Sequence, residues 1–483
     1  MDETYCHSPR TMWKLVSRHR TFLFCATCLW LTGVLIFLLL MRSGGTGEGA
    51  TSRVVLRSVA TAASHARPLR NRTVASIAEY CNPVEVSVTG DERLTSDVYR
   101  LVNVHIVIRH GDRGALPLAD PEPRIVCDVH VKSPLLEEFR AHVRSLAKRR
   151  HPADSFSQFP YIPVGRYCQP GKLTTIGVLQ HLKNGAFLRE RYGGALALHD
   201  WDDAERVTLK STVIARTYQS LVAFLYPLLP GFDASRLSIV PVKNNAFCAE
   251  GAVRRCDCRA MLTMRQRYID ENSQRLARNG TMQGALRTMA RAMNVSLDRA
   301  RPHALLDQSM RYLCHGAAMP CNARGRCIES AHVDALLHHH RWNGRRLARS
   351  DSYQRYSAFK VYPLLLEMTH RLSDVAAGRS RNALTLYSGH DVTLGPLLTA
   401  LDAYDGAIPP YASRLVVELY AAAGGRHYVR LLYNGGDVTR RVRFCRGRVN
   451  ADGVCELKHF LRFVTVEMLE DFGGMSYDEA CVA

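Results

Sequence analysis

The sequence has few acidic residues for its size, one long apolar run and no internal repeat. Asp and Glu number 44 against 64 Lys and Arg in 483 residues, so the formal net charge is +20. Hydrophobic residues make up 47% of the chain and charged residues 22%, which are values typical of a globular protein. These values exclude intrinsic disorder, collagen and a coiled coil for the chain as a whole. The length is that of two or three average domains.

The excess of basic residues indicates an anionic partner. Nucleic acid, acidic lipid and sulfated or phosphorylated sugar all carry the negative charge that such a surface attracts. Composition does not distinguish these three classes, but the compartment in which the chain resides narrows the choice.

The single long apolar run, residues 21–41, contains no charged residue and is long enough to cross ~30 Å of hydrocarbon. Four basic residues lie between Arg10 and Arg20, whereas Arg42 alone follows the run closely. The positive-inside rule therefore predicts that residues 1–20 form a cytosolic tail and that the chain after the run is luminal. A cleaved signal peptide is the alternative, but its apolar core spans only about 7–15 residues. We predict an uncleaved type II anchor, and for a luminal chain we expect no nucleic acid partner.

Cysteine usage is typical of an oxidising compartment. Three of the 15 cysteines lie in or before the apolar run, which leaves an even number after it. We therefore expect disulfides, whose pairing the sequence does not give. Zinc binding by Cys248, Cys256, Cys258 and later cysteines is the alternative, although this part of the chain contains no C-x2-C pair. The candidate N-glycosylation sites are Asn71, Asn279 and Asn294.

The chain after the anchor divides into two parts. Residues 42–76 are rich in Gly, Ser, Thr, Ala and Arg without apolar periodicity, which predicts a luminal stem. The patterns typical of a folded domain begin near Ile77 and continue to the end of the sequence, so we predict one catalytic domain over residues 77–483.

Within this domain, strand and helix patterns alternate near both ends. Short apolar runs at residues 102–108, 207–210 and 384–387 predict strands, and residues 174–192 show the periodicity of a helix. This alternation predicts an α/β sheet flanked by helices. The segment from about 235 to 350 is mostly helical in pattern and rich in cysteine, so we predict that it is an inserted subdomain.

The most informative local feature is Arg109-His110-Gly111-Asp112-Arg113, directly after the first predicted strand. Ligands of open α/β sheets bind at the carboxyl ends of strands. Two guanidinium groups match the oxygens of a phosphate, and their charge disfavours protonation of the histidine between them. The motif therefore predicts a phosphate site with a neutral, nucleophilic His110. A surface salt-bridge turn is the alternative.

Two further motifs also follow predicted strands. Ser388-Gly389-His390-Asp391 places a carboxyl group near a helix N-terminus, where it could protonate a leaving alkoxide beside a bound phosphate. Arg216 opens a predicted helix and could complete the phosphate site. Taken singly, each has a plain alternative, namely an Asp cap with a packed His and an ordinary arginine at a helix start. The three motifs together favour phosphate chemistry.

The motifs resemble those of the histidine acid phosphatase family. Its signature R-H-G-x-R-x-P corresponds to residues 109–115, and its H-D pair to His390-Asp391. The family block L-T-x-x-G-x-x-Q is present at residues 173–180, and the following L-R-x-R-Y at 188–192. The strand ending in Leu432-Tyr433-Asn434-Gly435 matches as well. The resemblance extends from about residue 103 to residue 481.

The resemblance implies a two-step mechanism without a cofactor or metal. His110 would be the nucleophile that forms a phosphohistidine, and Asp391 would be the proton donor to the leaving group. The phosphoryl oxygens would be held by Arg109, Arg113, Arg216 and His390. The arginines supply the charge that a metal would otherwise supply.

The loop that follows the first predicted strand departs from the family pattern. The proline of the signature is expected at Ala115, but it stands two positions later at Pro117.

The chain resembles most the Golgi members of the family that remove the 2-phosphate from xylose in the glycosaminoglycan–protein linkage region. This resemblance lies in the anchor, the stem and the segments VLQHLKNG, SGHDVTLGPLLTAL and LLYNGGDVT. This resemblance implies a Golgi membrane enzyme whose partner is the phosphorylated xylosyl linkage glycan on proteoglycan core proteins.

Two other functions stay open. One is a luminal phosphatase of inositol polyphosphates or other phosphomonoesters, and the other is a non-catalytic glycan-binding membrane protein.

The arginine-rich segment from Arg254 to Arg301 could contact an anionic polysaccharide or could be a solvated helix face. The run His338-His339-His340 predicts a surface helix end and not a metal site, because consecutive helical residues point about 100° apart. The sequence gives no indication of the oligomeric state.

Overall fold

The computed structural model describes residues 71–118, 124–127, 133–146, 155–201, 203, 205–248, 253–254 and 256–483. Within these ranges, no helix is both long and apolar enough to cross a membrane. The predicted cytosolic tail, the predicted anchor at 21–41 and the predicted stem up to residue 70 lie outside the described residues.

An eight-stranded mixed sheet forms the centre of the domain, in the spatial order β3-β2-β4-β1-β5-β6-β7 with β8 paired to β6. Strands β3, β2, β4 and β1 are parallel, whereas β5 to β8 pair antiparallel. The strands are β1 Arg100–Arg109, β2 Val207–Thr212, β3 Ile239–Val242, β4 Leu384–Gly389, β5 Arg414–Ala421, β6 His427–Tyr433, β7 Gly436–Asp437 and β8 Cys455–Glu456.

Helices cover both faces of this sheet, and the central strand is apolar on both sides. Ile106 and Ile108 of β1 belong to one hydrophobic core, and Val107 between them belongs to the other. The helices are α1 Asn71–Cys81, α2 Pro134–Leu146, α3 Thr175–Leu188, α4 Ala215–Leu228, α5 Arg259–Ala277, α6 Gly280–Ala292, α7 Pro302–Cys314, α8 Ser330–Leu347, α9 Asp351–Ala376, α10 Asp391–Ala400, α11 Leu457–Arg462, α12 Met468–Asp471 and α13 Tyr477–Val482.

The predicted α/β class and the predicted strands are confirmed. Helices α3 and α4 pack in the core on one face, where Leu182 and Phe224 are buried. Helices α9 and α10 pack on the other face, where Leu364 and Leu397 are buried. Because β1 and β2 both pair in parallel with β4, the carboxyl ends of these three strands lie side by side at one edge of the sheet.

The predicted start of the inserted subdomain near residue 235 needs a correction. Strand β3 at Ile239–Val242 pairs in parallel with β2 and so belongs to the central sheet. This strand is short, contains Pro241 and buries only its first and last residues, so it shows no alternating pattern that sequence inspection could find. The helical part of the insertion consists of α5 to α8 and begins at Arg259.

The predicted end of the stem at residue 76 also needs a correction. Helix α1 begins at Asn71, six residues before the predicted domain start at Ile77. Val74, Ile77 and Cys81 are all buried, at the i, i+3 and i+7 spacing of a helix face that packs on the domain. Thr73 is buried as well and donates a hydrogen bond of 2.5 Å from Oγ1 to Asp334 Oδ1 of α8.

The cysteines after residue 80 are all paired, which confirms the expected disulfides. Two bridges join distant parts of the chain, Cys81–Cys314 with a separation of 233 residues and Cys258–Cys481 with a separation of 223. The cysteines of the alternative zinc site are all consumed in these pairings. The remaining bridges are Cys127–Cys168, Cys248–Cys256, Cys321–Cys327 and Cys445–Cys455.

Candidate active site

The site lies where the parallel strands β1, β2 and β4 end. His110 follows β1, Thr212 ends β2, and His390 and Asp391 follow β4. The backbone holds these ends in register, because His110 N donates to Gly389 O over 3.0 Å. Ala412 N in turn donates to His110 O over 3.1 Å, so His110 is fixed by β4 on one side and by the segment that leads into β5 on the other.

His110 is buried, and its hydrogen bonding defines which ring nitrogen can react. Nδ1 lies 2.8 Å from the carbonyl oxygen of Gly111, so Nδ1 carries the proton and Nε2 carries the lone pair. Burial lowers the pKa of His110 well below 6.5, and the guanidinium groups of Arg216 and Arg109 lower it further. A neutral imidazole with an outward lone pair is the form that attacks phosphorus.

Arg109 is fully buried, and groups from two other segments of the chain hold its guanidinium group in place. Its Nη1 donates to the carbonyl oxygen of Pro409, and its Nη2 donates to Tyr80 Oη over 3.3 Å. The guanidinium plane lies over the ring of Tyr411 with 4.3 Å between the central carbon and the ring centroid. These uncharged partners hold one positive charge beside His110, and the carboxylate of Asp391 lies 3.6 Å from the same guanidinium group.

Arg113 is paired with a carboxylate that the sequence did not point to. Its Nη2 lies 3.0 Å from Asp307 Oδ1, and its Nη1 donates to Asp307 Oδ2 over 3.1 Å. Asp307 Oδ2 also accepts from the backbone N of Leu116 over 2.8 Å. Asp307 belongs to α7 in the helical insertion. The insertion therefore directly orients the loop after β1 that carries Arg113 and Leu116, which we call the phosphate loop.

Arg216 and His390 form a contiguous polar pair at the ends of β2 and β4. Arg216 Nη2 lies 3.5 Å from His390 Nδ1, and His390 Nε2 lies 3.0 Å from Thr212 Oγ1. Burial and the neighbouring guanidinium of Arg113 lower the pKa of Arg216 to about 10. Burial and Arg216 lower the pKa of His390 to about 3, so its ring is neutral.

Asp391 is the first residue of α10 and accepts from the N–H of Val392 over 2.9 Å through Oδ1. Its Oδ2 lies 3.6 Å from Arg109 Nη2, and the side chain is 30% exposed toward the cleft. Burial acts to raise the pKa of Asp391, but Arg109, Arg113 and His390 outweigh it and lower the pKa below 3.8. The resting side chain is therefore a carboxylate.

The phosphate loop lies directly against the start of α3. A Cβ on Gly111 would lie 2.3 Å from the carbonyl oxygen of Gly177, so only glycine permits this approach. Asp112 N donates to Gln180 Oε1 over 2.8 Å, and Thr174 Oγ1 donates to Asp112 Oδ2 over 2.5 Å. The L-T-x-x-G-x-x-Q block thus has a structural role, because it holds the loop that carries the nucleophile.

The site opens into a cleft of about 1290 Å³, larger than the ~300–1,000 Å³ of ordinary small-molecule pockets. One wall comes from the insertion and carries Arg265, Tyr268 and Arg301. Lys360 lies buried behind Tyr356, to whose Oη it donates over 3.0 Å, and burial lowers the pKa of Lys360 to about 8. A cleft of this size, lined by basic and aromatic residues, accommodates more than a phosphate on a single sugar.

The structure brings the predicted site residues together. His110, Arg113, Arg216, His390 and Asp391 line one cleft, and Arg109 contacts Asp391 at its floor. Sequence inspection missed further residues that hold the site, because their segments carry no local motif. These residues are Asp307, Tyr80, Tyr411, Pro409 and Thr212.

Other sequence predictions lie away from this cleft. Asn279 caps α6 by accepting from Met282 N over 3.0 Å, and both Asn279 and Asn294 belong to exposed positions. The backbone of Asn71 begins α1. The prediction that residues 338–340 form a surface helix end was wrong. They lie in the middle of α8, where His339 is buried and burial lowers the pKa of His340 to about 4.

Metal-binding geometry is confined to one group in the described ranges, Cys127, Cys168 and His315. The two cysteines of this group are joined in a disulfide and therefore lack the thiolates that bind metals.

Comparison with known proteins agrees with this arrangement. The profile of the histidine phosphatase superfamily (branch 2) matches residues 100–315 and 360–434. The chain is 31% identical to 2-phosphoxylose phosphatase 1 of Xenopus tropicalis over 418 residues, which cover 83% of this chain and 81% of that protein. The human 2-phosphoxylose phosphatase 1 is 31% identical over 422 residues, with 83% of this chain and 85% of that protein covered.

Among solved structures, the apo form of Hafnia alvei phytase is 18% identical, with a TM-score of 0.48 over 80% of this chain and 99% of that chain. The family profile spans more than half of the sequence and includes each motif of the site. The resemblance inferred from the motifs is therefore confirmed: the chain is a phosphomonoesterase that belongs to branch 2 of the histidine phosphatase superfamily.

Proposed function

We propose that the chain removes the 2-phosphate from xylose in the glycosaminoglycan–protein linkage region. The single observation that carries this substrate is the match, at 31% identity over 83% of the chain, to vertebrate proteins named 2-phosphoxylose phosphatase 1. The size of the cleft supports a phosphorylated oligosaccharide in preference to a phosphorylated monosaccharide.

In the first step, the lone pair on His110 Nε2 attacks phosphorus. An N–P bond forms while the bond between phosphorus and the xylose O2 breaks, and the electron pair stays on O2. Asp391 gives its proton to that oxygen. The guanidinium groups of Arg109, Arg113 and Arg216 stabilise the charge on the equatorial phosphoryl oxygens.

In the second step, water attacks phosphorus and the N–P bond breaks, which returns the lone pair to His110. Asp391, now a carboxylate, takes the proton from water. Inorganic phosphate leaves as the monoanion and carries away the proton that Asp391 took from water, which returns Asp391 to its resting carboxylate.

The first step needs a protonated Asp391, although the resting side chain is a carboxylate. A phosphate monoanion can carry the required proton into the site. Its negative charge beside Arg109 and Arg113 also offsets the positive field that lowers the pKa of Asp391. Substrate binding thus prepares the general acid, and turnover is favoured on the acid side of neutrality.

The apolar run at residues 21–41 supports a type II anchor, and the six disulfides support an oxidising compartment. We therefore infer a Golgi membrane enzyme whose catalytic domain faces the lumen. Fluorescence microscopy with compartment markers, combined with protease protection of a C-terminal tag in sealed vesicles, tests this localisation.

A substrate panel tests the proposed activity. It contains a linkage glycopeptide phosphorylated on xylose O2, free xylose 2-phosphate, inositol hexakisphosphate, a phosphoserine peptide and nitrophenyl phosphate. The highest kcat/KM is expected for the phosphorylated glycopeptide. A higher value for inositol hexakisphosphate or the phosphopeptide would support the alternative luminal phosphatase. Absence of turnover of all five would support the non-catalytic glycan-binding protein.

A further inference from the structure

A second groove lies beside the catalytic cleft, along the exposed side of α8. Its volume is about 860 Å³, and its walls include Arg341, Arg345, Arg346 and Arg349 together with Trp342. Trp342 is 50% exposed, which is unusual for a residue of this size. We call this feature the α8 groove.

The α8 groove is continuous with the catalytic cleft. Tyr80, Leu306, His340 and Ile408 line both cavities. Tyr80 accepts a hydrogen bond from Arg109 Nη2 over 3.3 Å, so the shared wall directly contacts the catalytic centre. A chain-like ligand bound at the phosphate site can therefore extend into the α8 groove.

The basic side chains of the groove are only partly neutralised by the protein. Arg341 forms an ion pair of 2.8 Å with Glu79. Arg345 Nε donates to the carbonyl oxygen of Asp405 over 3.2 Å, and Arg346 Nη2 donates to the amide oxygen of Asn343 over 3.3 Å. Both of these acceptors are neutral, so neither hydrogen bond pairs a guanidinium group with a carboxylate. The guanidinium group of Arg346 also lies 5.9 Å from the ring centroid of Trp342.

Two further observations point to a ligand in this groove. Nε of Arg346 and Nε2 of His340 are buried without a hydrogen-bond partner in the described part of the chain. Within the same part, the guanidinium group of Arg349 makes no ion pair with a carboxylate, and its side chain is exposed. The acidic lining residues are Glu79 and Asp334, of which Glu79 pairs with Arg341 and Asp334 accepts from Thr73.

The arrangement also has a fixed shape. The helix packs against a loop through Gly344, where a Cβ would lie 2.2 Å from the carbonyl oxygen of Gly406. The same loop continues to Pro409 and Tyr411, which hold Arg109. The α8 groove and the phosphate site therefore both contact one short segment, residues 406–411.

We propose that the α8 groove binds an acidic saccharide chain, which carries carboxylate or sulfate groups. The guanidinium groups match its anions, and the exposed face of Trp342 matches the apolar C–H face of a sugar ring. The inference rests on the proposed function in that the saccharide is the continuation of the glycan whose phosphorylated xylose reaches His110. It assigns substrate capture to α8 and not to the arginines between 254 and 301.

The test measures binding of a sulfated chondroitin hexasaccharide that carries no phosphate, by titration calorimetry on the full-length protein. The groove variant combines Arg345→Gln, Arg346→Gln and Arg349→Gln. The control variant removes the same charge at exposed positions outside both cavities and combines Arg426→Gln, Arg440→Gln and Arg462→Gln. A third variant, Trp342→Ala, removes the aromatic face. Turnover of nitrophenyl phosphate reports whether each variant is folded.

The groove variant is expected to lose affinity at least ten-fold and Trp342→Ala several-fold, while the control loses less than two-fold. The proposal is overturned if the wild type does not bind the hexasaccharide, or if groove and control variants lose affinity equally. Equal binding of polyglutamate or of a single-stranded oligonucleotide would also overturn it, since the groove would then be a general polyanion surface. Because the probe has no phosphate, these results are independent of which phosphomonoester the enzyme hydrolyses.

Discussion

Asp307 and Arg113 form a two-point ion pair at the mouth of the phosphate site, with contacts of 3.0 and 3.1 Å. The arginine lies in the phosphate loop, whereas the aspartate lies 194 residues later in the helical insertion. The carboxylate aligns the guanidinium group but also competes with phosphate for it. The insertion therefore sets both the position and the available charge of Arg113.

Two substitutions separate these effects. Asp307→Ala removes both contacts, and a hydrogen bond to a charged group contributes ~1.5–3 kcal/mol, so kcat/KM for nitrophenyl phosphate should fall about 10- to 100-fold. Asp307→Asn keeps an acceptor but removes the competing charge, so the inhibition constant of inorganic phosphate should decrease. Both constants come from steady-state kinetics. An unchanged inhibition constant in Asp307→Asn would show that Asp307 does not compete with phosphate.

The role of Asp391 depends on the leaving group. A general acid contributes roughly 10²–10⁴-fold, and an alkoxide leaving group needs the proton. Asp391→Asn should therefore lose activity in this range on xylose 2-phosphate. The loss should be much smaller on nitrophenyl phosphate, whose leaving group departs as a stable anion. Parallel kcat measurements decide the matter, and equal losses on both substrates would argue against Asp391 as the acid.

The pH dependence follows from the buried histidines. Burial, followed by the charge of Arg216, lowers the pKa of His110, so the neutral nucleophile persists well below pH 6.5. Arg216→Gln should raise this pKa and shift the acid limb of kcat/KM to higher pH, whereas Arg216→Lys should leave it in place. Comparing variants on nitrophenyl phosphate cancels the ionisation of the substrate. An acid limb that does not move in Arg216→Gln would contradict the electrostatic account.

The same histidines affect stability. A folded-state pKa below the unfolded value means that the unfolded chain binds more protons at acid pH. The contribution of neutral His110 and His390 to the free energy of unfolding is therefore complete above about pH 6.5. It is lost progressively as the pH falls toward the folded-state pKa, which for His390 is about 3.

The Cys81–Cys314 bridge should stabilise the protein more than the Cys321–Cys327 bridge. The first has a separation of 233 residues and the second a separation of 6, and a longer loop loses more unfolded-state entropy. Replacing the first pair by serine should lower the free energy of unfolding by about 2–5 kcal/mol. The serine variant of the second pair is the matched control. Denaturant titration monitored by fluorescence compares the two, and equal losses would contradict the loop argument.

The central sheet and the catalytic residue types could be predicted from the sequence. The apolar run of β1 leads directly into Arg109 and His110, so a strand and a reactive motif are adjacent in the chain. The same applies to β4 with His390 and Asp391. Here local pattern and local chemistry coincide, and the topology of a parallel sheet brings the strand ends together.

The supporting residues could not be predicted, because their roles depend on contacts across the fold. Asp307 is one acidic residue on an ordinary helix until α7 brings it to Arg113. Tyr80 and Tyr411 flank Arg109 from segments that lie more than 300 residues apart, and neither segment has a recognisable motif. Strand β3 and the buried start of α1 were missed because short elements bury too few residues to produce a clear period.

The central claim is that His110 Nε2 becomes covalently bound to phosphorus during turnover. Rapid quenching of the wild-type protein in alkali, with a phosphomonoester labelled at phosphorus, should yield a protein adduct that is stable to alkali and labile to acid. Peptide mapping should place it on His110, and His110→Ala should show neither adduct nor turnover while retaining the unfolding profile of the wild type. An adduct on another residue, or full turnover in His110→Ala, would contradict the account.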